Sequence, residues 1–250
     1  MPSHVAEALL RHHPLQRLES PSRGVSAAFH LAGLTSFAYP FSYLVRNPNP
    51  INDSYGWHMQ YLTIIGLSLA TLTFAAGLLA DVTLSRRLFR IKNALSVASA
   101  PLEVLISILY WGLRVINPAL VEPEWAAPLA LIDDMSFHGA PSSLLVLDLL
   151  FFSPPYAIAF LPAFGLSAAI AFGYWFWIER CYQFNKFYPY PIFELLDTPG
   201  RIGLFAFSAL LMTASTTLLI WLYGVVNGQE RQGAVHGDVH KGRSGNVKGK

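Results

Sequence analysis

The segment YGWHMQYLTIIGLSLATLTFAAGLLADVTLSRRLFRIK, residues 55–92, decides the fold. A polar, aromatic lead-in passes directly into an apolar run, residues 60–80, that contains no Asp, Glu, Lys or Arg. Such a run has the roughly 20 residues that an α-helix needs to cross a lipid bilayer. Basic residues follow it closely, at Arg86, Arg87, Arg90 and Lys92. The segment therefore predicts a membrane helix that is followed by a basic loop.

The composition of the 250-residue chain suits lipid rather than water. Hydrophobic residues make up 53% and charged residues only 13%, whereas soluble domains carry about 25% charged residues. The mean hydropathy of +0.40 agrees. A formal net charge of +2 is too small to suggest a nucleic-acid partner, and the single cysteine, Cys181, excludes an intramolecular disulfide. We predict an integral membrane protein with no nucleic-acid partner.

Six stretches share this length and apolarity, and they predict an all-α bundle of six transmembrane helices. They lie near residues 25–45, 60–80, 93–114, 135–152, 156–178 and 202–227. Residues 1–24 are predicted to form an N-terminal arm without the apolar core of a signal peptide. Residues 228–250 are glycine-rich and polar, and are predicted to be a disordered tail. Pro154 and Pro155 end the fourth helix and predict a tight antiparallel hairpin with the fifth.

Charge is distributed unevenly between the loops, and this predicts the orientation. The N-terminal arm, the 81–92 loop and the C-terminal tail carry most of the arginines and lysines, and six helices place all three on one side. The 115–134 loop on the other side carries acidic residues and no Lys or Arg. We therefore predict that both termini are cytoplasmic. We expect the protein in an endomembrane, that of the endoplasmic reticulum, or in the plasma membrane.

His138 is the first candidate for a functional side chain, because an ionisable group inside a membrane helix is a functional candidate by default. Its imidazole can act as a general base near neutral pH. Asp134 lies four residues earlier, on the same helical face, and can orient the ring. An interfacial histidine, bonded to lipid headgroups or to a loop carbonyl, is the alternative interpretation.

Thr63 lies about one turn inside the second predicted helix, at the same membrane face as His138. Residue type alone does not distinguish it from other membrane threonines, whose hydroxyls commonly bond the carbonyl one turn earlier. These are Thr71, Thr73, Thr213, Thr216 and Thr217. A threonine hydroxyl becomes a nucleophile only when a base lies within hydrogen-bond reach. The aromatic 179–201 loop is predicted on this side too, where it can cap a cavity or form an ordinary aromatic belt.

Glu103 and Asp148 are the two carboxylates predicted near the bilayer midplane, each about 15 Å deep. They can face each other and share a proton, or form a structural hydrogen bond between helices. Asp148 also lies about 15 Å from His138 along one helix, too far for a direct contact. The chain has no P-loop, GxGxxG, GxSxG or CxxC motif and no convergent ligand set, so neither a cofactor nor a metal is expected.

One segment resembles the signature of the androgen-induced membrane protein family, which includes the androgen-dependent TFPI-regulating protein. YGWHMQYLT is similar to the pattern Y-G-G-x-W-K-[YF]-L-T-F that leads into a membrane helix in that family. The matching residues are Tyr55, Gly56, Tyr61, Leu62 and Thr63. The segment GWHMQYLTIIGL resembles the fungal branch of the family.

Two further segments resemble the same family in the same order. FHGAPSSLLVLDLL, residues 137–150, is similar to its N-H-x-x-H-T-T segment, with His138 in place of the second histidine and Asp148 in place of a later glutamate. YPYPIFELLDTPGR resembles its Y-P-F-L-E…G-x-R segment. The matching residues there are Tyr190, Pro191, Glu194, Gly200 and Arg201. The similarity spans roughly residues 30–225.

Members of that family are known as hydrolases of fatty acid esters of hydroxy fatty acids that use a threonine nucleophile and a histidine. The resemblance implies that Thr63 is the nucleophile and His138 its base, and that the substrate is a long-chain ester dissolved in the membrane. The sequence departs from the family pattern at Met59 and Gln60, where the family has tryptophan and lysine. Asp134 and its neighbours replace the first histidine of the pair, and Pro-Ser-Ser replaces Thr-Thr.

Two other interpretations stay open from the residues. One is a non-enzymatic lipid- or proton-handling membrane protein centred on Glu103 and Asp148, in which Thr63 is dispensable. The other is a structural membrane protein without a functional site. A separation of up to about 4 Å between Thr63 Oγ1 and a ring nitrogen of His138, opening onto a lipid-facing cavity, favours the hydrolase, whereas a separation above about 10 Å favours the non-enzymatic alternative.

Overall fold

The computed structural model describes residues 13–123, 125–126, 128–156 and 158–228, and this part of the chain is helical without a β-strand. The predicted all-α fold is therefore confirmed. The predicted disordered tail, apart from Gly228, lies outside the described residues, as does the first half of the N-terminal arm. The described residues form eight α-helices: α1 (Val25–Arg46), α2 (Leu62–Thr83), α3 (Arg86–Ile116), α4 (Leu131–His138), α5 (Ala140–Phe152), α6 (Phe160–Asn185), α7 (Ile192–Leu195) and α8 (Thr198–Asn227).

Four of these helices, α2, α3, α6 and α8, are long and apolar enough to cross a bilayer. Helices α4 and α5 meet at a bend of 44° and would together make a fifth such span. Helix α1 has 22 residues, which is long enough, but it does not reach the apolarity of the others. The chain is thus a multi-pass membrane protein, whereas six spans and cytoplasmic termini stay predictions.

The basic loop predicted for residues 81–92 is almost entirely helical. Only Leu84 and Ser85 separate α2 from α3. Leu84 adopts the left-handed conformation that ends α2, and the Ser85 hydroxyl accepts a hydrogen bond from the Leu88 N–H at the start of α3. Hydropathy marks the part of a helix that lies in lipid, so it misses the polar turns that continue the same helix beyond the bilayer.

The fourth predicted helix is in fact two helices that meet at Gly139. Pro141 lies in the first turn of α5, and a proline cannot continue a helix because it lacks the N–H and clashes with the preceding turn. Two hydroxyls bind carbonyls at the break. Ser107 on α3 donates to His138 O at 2.5 Å, and Ser142 donates to Gly139 O at 3.0 Å. The break therefore ties the backbone of His138 to α3.

Helices α5 and α6 do not form the predicted antiparallel hairpin, because α6 packs mainly against α8. Residues 153–156 leave α5 along a path that is anchored to α3. The Lys92 ammonium donates to the Ser153 hydroxyl at 2.7 Å, and the Tyr156 hydroxyl donates to Ser96 O at 2.6 Å. Two prolines stop a helix, but these tertiary anchors decide where the chain goes next.

The two ends of the bundle carry different residues. Helix α3 packs against α2, α5 and α8. Residues 13–24 lie at the end where α2 meets α3, since the Ser22 N–H donates to Asp81 Oδ1 at 2.9 Å and Arg17 donates to Val226 O at 3.1 Å. We name this the basic end. Helices α2 and α4 begin, and α3 and α6 finish, at the opposite end, which holds the candidate site.

Candidate active site

Thr63, in the first turn of α2, holds its hydroxyl differently from the other membrane threonines. Its Oγ1 lies 3.2 Å from the Tyr190 hydroxyl, which also accepts from the Thr63 N–H at 3.5 Å. The carbonyl that Thr63 would need one turn earlier is that of Met59, and this carbonyl accepts from the Trp177 indole at 3.0 Å. The others each donate to the carbonyl of residue i−4: Thr71 (2.7 Å), Thr73 (2.8 Å), Thr213 (2.8 Å), Thr216 (3.1 Å) and Thr217 (3.0 Å). The Thr63 hydroxyl therefore faces outward from its own helix.

The lead-in, residues 55–61, is fastened to α6 and so fixes the position of Thr63. The side chain of Asn185 pairs with both backbone groups of Tyr55, accepting from the N–H at 2.8 Å and donating to the carbonyl at 3.0 Å. Gly56 turns the chain with a φ of 86°, a conformation that glycine adopts without strain. A Cβ at this position would also press into side chains of α6.

An apolar cavity lies beside Thr63, between α2, α3, α6 and α8. Its empty volume, including the open space at the mouth, is about 790 Å³. The residues described around it include no Asp, Glu, Lys, Arg or His. The polar groups in its wall are the hydroxyls of Thr63, Tyr110, Ser167, Tyr174, Tyr190 and Ser208. Residues 190–193 of the aromatic loop contribute to the wall, so this loop caps a cavity, as one interpretation of the sequence expected.

The capping loop is held in place by Arg201. Its guanidinium donates to Phe193 O at 2.8 Å and pairs with Glu179 at 3.2 Å. The Tyr188 hydroxyl donates to the same glutamate at 3.0 Å. Burial, together with this hydrogen bond, raises the pKa of Tyr188 to about 12. The loop that carries Tyr190 is therefore fixed to α6 and α8 by charge-assisted hydrogen bonds.

His138 is the buried last residue of α4, and its ring is held on two sides. Nδ1 lies 2.9 Å from Asp134 Oδ1, and the Asp134 carboxylate also pairs with Arg114. Because a carboxylate only accepts, Nδ1 carries the proton, and in the neutral ring Nε2 keeps the lone pair. Tyr110 stacks on the imidazole, with ring centroids 3.4 Å apart and planes 6° apart. Asp134 thus lies where it orients the ring, as the spacing predicts.

Thr63 and His138 lie at the same end of the bundle, as predicted, but each has a different hydrogen-bond partner. Their chain neighbours, Ile64 and Phe137, pack in one buried apolar cluster. Tyr110 belongs to both surroundings, since it lines the Thr63 cavity and stacks on the His138 ring. Tyr110 therefore links the two surroundings, and Thr63 and His138 form no direct hydrogen bond with each other.

The comparisons with known proteins agree with this architecture. The family model described as FAR-17a/AIG1-like protein matches residues 25–224, from the start of α1 almost to the end of α8. The chain belongs to the FAR-17a/AIG1-like family. A UPF0641 membrane protein of Schizosaccharomyces pombe is 37% identical over 180 residues, which cover 71% of this chain and 81% of that protein. No solved structure matches.

In this member of the FAR-17a/AIG1-like family, Asp148 does not share a proton with Glu103. Asp148 Oδ2 lies 2.7 Å from Lys92 Nζ, and Oδ1 lies 3.1 Å from His30 Nε2. The other ring nitrogen of His30 lies 2.6 Å from Asp81. All four side chains are fully buried, including Lys92, which the sequence placed in a basic loop. We name His30, Asp81, Lys92 and Asp148 the ionic cluster, in which positive and negative groups alternate.

Glu103 lies apart from the ionic cluster and faces α2. It is fully buried, and neither carboxylate oxygen has a hydrogen-bond partner among the described residues. A Cβ at Gly66, one turn beyond Thr63, would lie 2.6 Å from Glu103 Oε1. The carboxylate is thus close to the Thr63 turn of α2 but is not part of the cavity wall. The predicted pairing of Glu103 with Asp148 is therefore wrong, because Asp148 pairs with Lys92 and His30 instead.

Sequence reasoning missed three residues around the site: Tyr190, Tyr110 and Arg114. Tyr190 appears only as a family match, and no local pattern shows that a hydroxyl in a distant loop faces Thr63. A signal did exist for the other two, since Tyr110 and Arg114 are spaced i, i+4 like Asp134 and His138. Two such pairs on facing helices can form a four-residue contact.

Proposed function

We propose that this protein is an intramembrane lipid-ester hydrolase in which Thr63 is the nucleophile and His138 the general base. The single observation that carries the proposal is the Thr63 hydroxyl. It is freed from its own helix, bonded to Tyr190 and placed in the wall of an apolar cavity. The His138 imidazole, whose Nδ1 donates to Asp134, carries an Nε2 lone pair at the same end of the bundle.

The proposed reaction begins when the Thr63 oxygen attacks the ester carbonyl carbon and its proton moves to Nε2 of His138. Asp134 stabilises the imidazolium that forms. The ester C–O bond then breaks, and the imidazolium returns the proton to the leaving alcohol oxygen. Water, deprotonated by the same nitrogen, attacks the acyl-threonine and releases the fatty acid and the free hydroxyl. The mechanism requires Thr63 Oγ1 and Nε2 of His138 to come within hydrogen-bond reach when the ester binds, since catalytic hydrogen bonds often form only in the substrate complex.

Tyr190 is the proposed hydrogen-bond donor to the oxyanion of the tetrahedral intermediate. Its hydroxyl lies 3.2 Å from the attacking oxygen, in the cavity wall. Burial raises the pKa of Tyr190, so its hydroxyl stays protonated at neutral pH. A fixed donor in an apolar, water-poor site stabilises developing charge more than it does in water.

The cavity wall supports a long-chain ester as substrate. Apolar side chains such as Leu105, Ile106 and Met212 surround the hydroxyls and can accommodate acyl chains. The site lies at the end of the bundle, where an ester can enter from the bilayer and water can reach the acyl-enzyme. Fatty acid esters of hydroxy fatty acids, which the family resemblance implies, have this chemistry.

The test is turnover of a fluorogenic long-chain ester by the purified full-length protein in detergent. We expect Thr63→Ala and His138→Ala each to lower the turnover rate about 100-fold or more, since each removes a reacting group. Thr71→Ala is the matched control, because its hydroxyl bonds only its own helix. A fluorophosphonate probe should label Thr63 in the wild type and in the control. Wild-type turnover in both site variants would overturn the proposal.

A further inference from the structure

A second large cavity lies at the basic end, far from Thr63, between the N-terminal residues and the start of α3. Its empty volume, including the open mouth, is about 2100 Å³. Three arginines line it, Arg23, Arg86 and Arg90, and Glu19 is the one acidic residue described in its wall. The cavity is therefore strongly positive on balance.

The three arginines line the same cavity from two segments of the chain. Arg86 and Arg90 are one turn apart on α3 and face the same side. Arg23 joins them from the N-terminal segment, where its Nε donates to Val82 O at 3.0 Å. None of the three forms an ion pair with a described residue, and all are exposed. Because like charges repel, an anion bound between these side chains would remove an unfavourable interaction.

The other residues around the cavity indicate what kind of anion fits. Val25, Leu84 and Phe89 place apolar surface beside the arginines, and Val25 and Leu84 are exposed where the membrane helices end. A ligand that satisfies both features carries a phosphate and an apolar chain. Arginine binds phosphate oxygens through two parallel hydrogen bonds, and the membrane surface supplies such ligands from the bilayer itself.

We propose that this cavity binds the headgroup of an anionic phospholipid, with its phosphate held by Arg86 and Arg90 and completed by Arg23. The start of its acyl chains would lie against Leu84 and Phe89. The N-terminal end of α3 adds a favourable dipole for a negative group. The site is separate from the proposed hydrolase site, so its occupancy does not require turnover at Thr63.

The experiment measures lipid binding to the full-length protein, purified in a neutral detergent, by native mass spectrometry and by thermal unfolding. The probes are dioleoyl phosphatidylglycerol, dioleoyl phosphatidylcholine and inorganic phosphate. We expect the anionic lipid to bind at least about tenfold more tightly than the neutral lipid and to raise the melting temperature. Arg86→Gln and Arg90→Gln should each weaken anionic-lipid binding about tenfold, the effect of losing one charge-assisted contact.

Arg87→Gln is the matched control, because it removes the same charge from the same turn of α3 but Arg87 does not line the cavity. We expect it to keep the anionic-lipid affinity within about twofold. An equal loss in this control would show general surface attraction and overturn the site. Equal binding of both lipids, or equal stabilisation by inorganic phosphate, would also overturn the proposal. Should a glutamine variant fail to fold, Arg90→Lys keeps the charge and is expected to weaken binding by losing the two-pronged geometry.

Discussion

Tyr110 and His138 stack face to face, with ring centroids 3.4 Å apart, and this contact closes a ring of four side chains. Arg114 donates to the Tyr110 hydroxyl at 3.2 Å and pairs with Asp134, which bonds Nδ1 of His138. Two i, i+4 pairs, one on α3 and one on α4, thereby support each other. The imidazole is thereby held in one plane and one tautomer, and Tyr110 also lines the cavity beside Thr63.

The first prediction concerns the orientation of the base. In Asp134→Asn an amide replaces the carboxylate that fixes the proton on Nδ1, and an amide N–H that faces Nδ1 favours the tautomer in which Nε2 carries the proton and has no lone pair. We expect the turnover rate to fall about 100-fold or more, the usual contribution of general base catalysis. Asp133→Asn is the control, since Asp133 accepts only from Tyr39 in an exposed contact. Equal activity of the two variants would exclude Asp134 from the mechanism.

The second prediction concerns the oxyanion donor. Tyr190→Phe removes the hydroxyl and keeps the aromatic ring in the capping loop. We expect a fall in kcat of about 100-fold with little change in KM, because the lost contact forms mainly in the transition state. Tyr182→Phe is the control, since Tyr182 belongs to the same region but does not line the cavity. A change in KM alone would make Tyr190 a substrate-binding residue instead.

The helices and part of the site follow from local sequence, because they depend on contacts within one turn or on apolar length. Hydropathy locates the apolar stretches that form α1, α2, α3, α6 and α8. A spacing of four residues in a helix brings Asp134 next to His138. The direction of alternate helices places Thr63 and His138 at one end. These inferences need no knowledge of which helices touch.

The remaining features depend on which face of each helix packs against which neighbouring helix, and hydropathy carries no such information. The ionic cluster joins side chains from α1, α2, α3 and α5 that are up to 118 positions apart in the chain. Lys92 looks like a loop residue in the sequence because its neighbours are basic, yet it points inward from the extended start of α3. Tyr190 reaches Thr63 across 127 positions, and only tertiary packing specifies that contact.

The third prediction tests how the ionic cluster is held together. Lys92→Met leaves the buried Asp148 carboxylate without its nearest cation, and removing one member of a buried ion pair costs about 3–5 kcal/mol. We expect a marked fall in thermal stability, measured by the loss of helical circular dichroism on heating in detergent. Lys92→Met combined with Asp148→Asn should cost less than the sum of the two single changes, because the second change removes the uncompensated charge. Additive costs would show that the two side chains act independently.

The fourth prediction concerns Glu103, the fully buried carboxyl without a hydrogen-bond partner among the described residues. An unsatisfied buried polar group costs about 1–3 kcal/mol, and a side chain of similar shape without charge avoids this cost. We therefore expect Glu103→Met to raise the melting temperature of the protein and to leave ester turnover within about twofold of the wild type. Asp148→Leu is the contrasting variant, since it removes a carboxylate that pairs with Lys92 and His30 and should lower the melting temperature. A stabilised but inactive Glu103→Met protein would assign this carboxyl a role in function. A destabilised Glu103→Met protein would show that the Glu103 carboxyl has a hydrogen-bond partner, and would contradict the prediction.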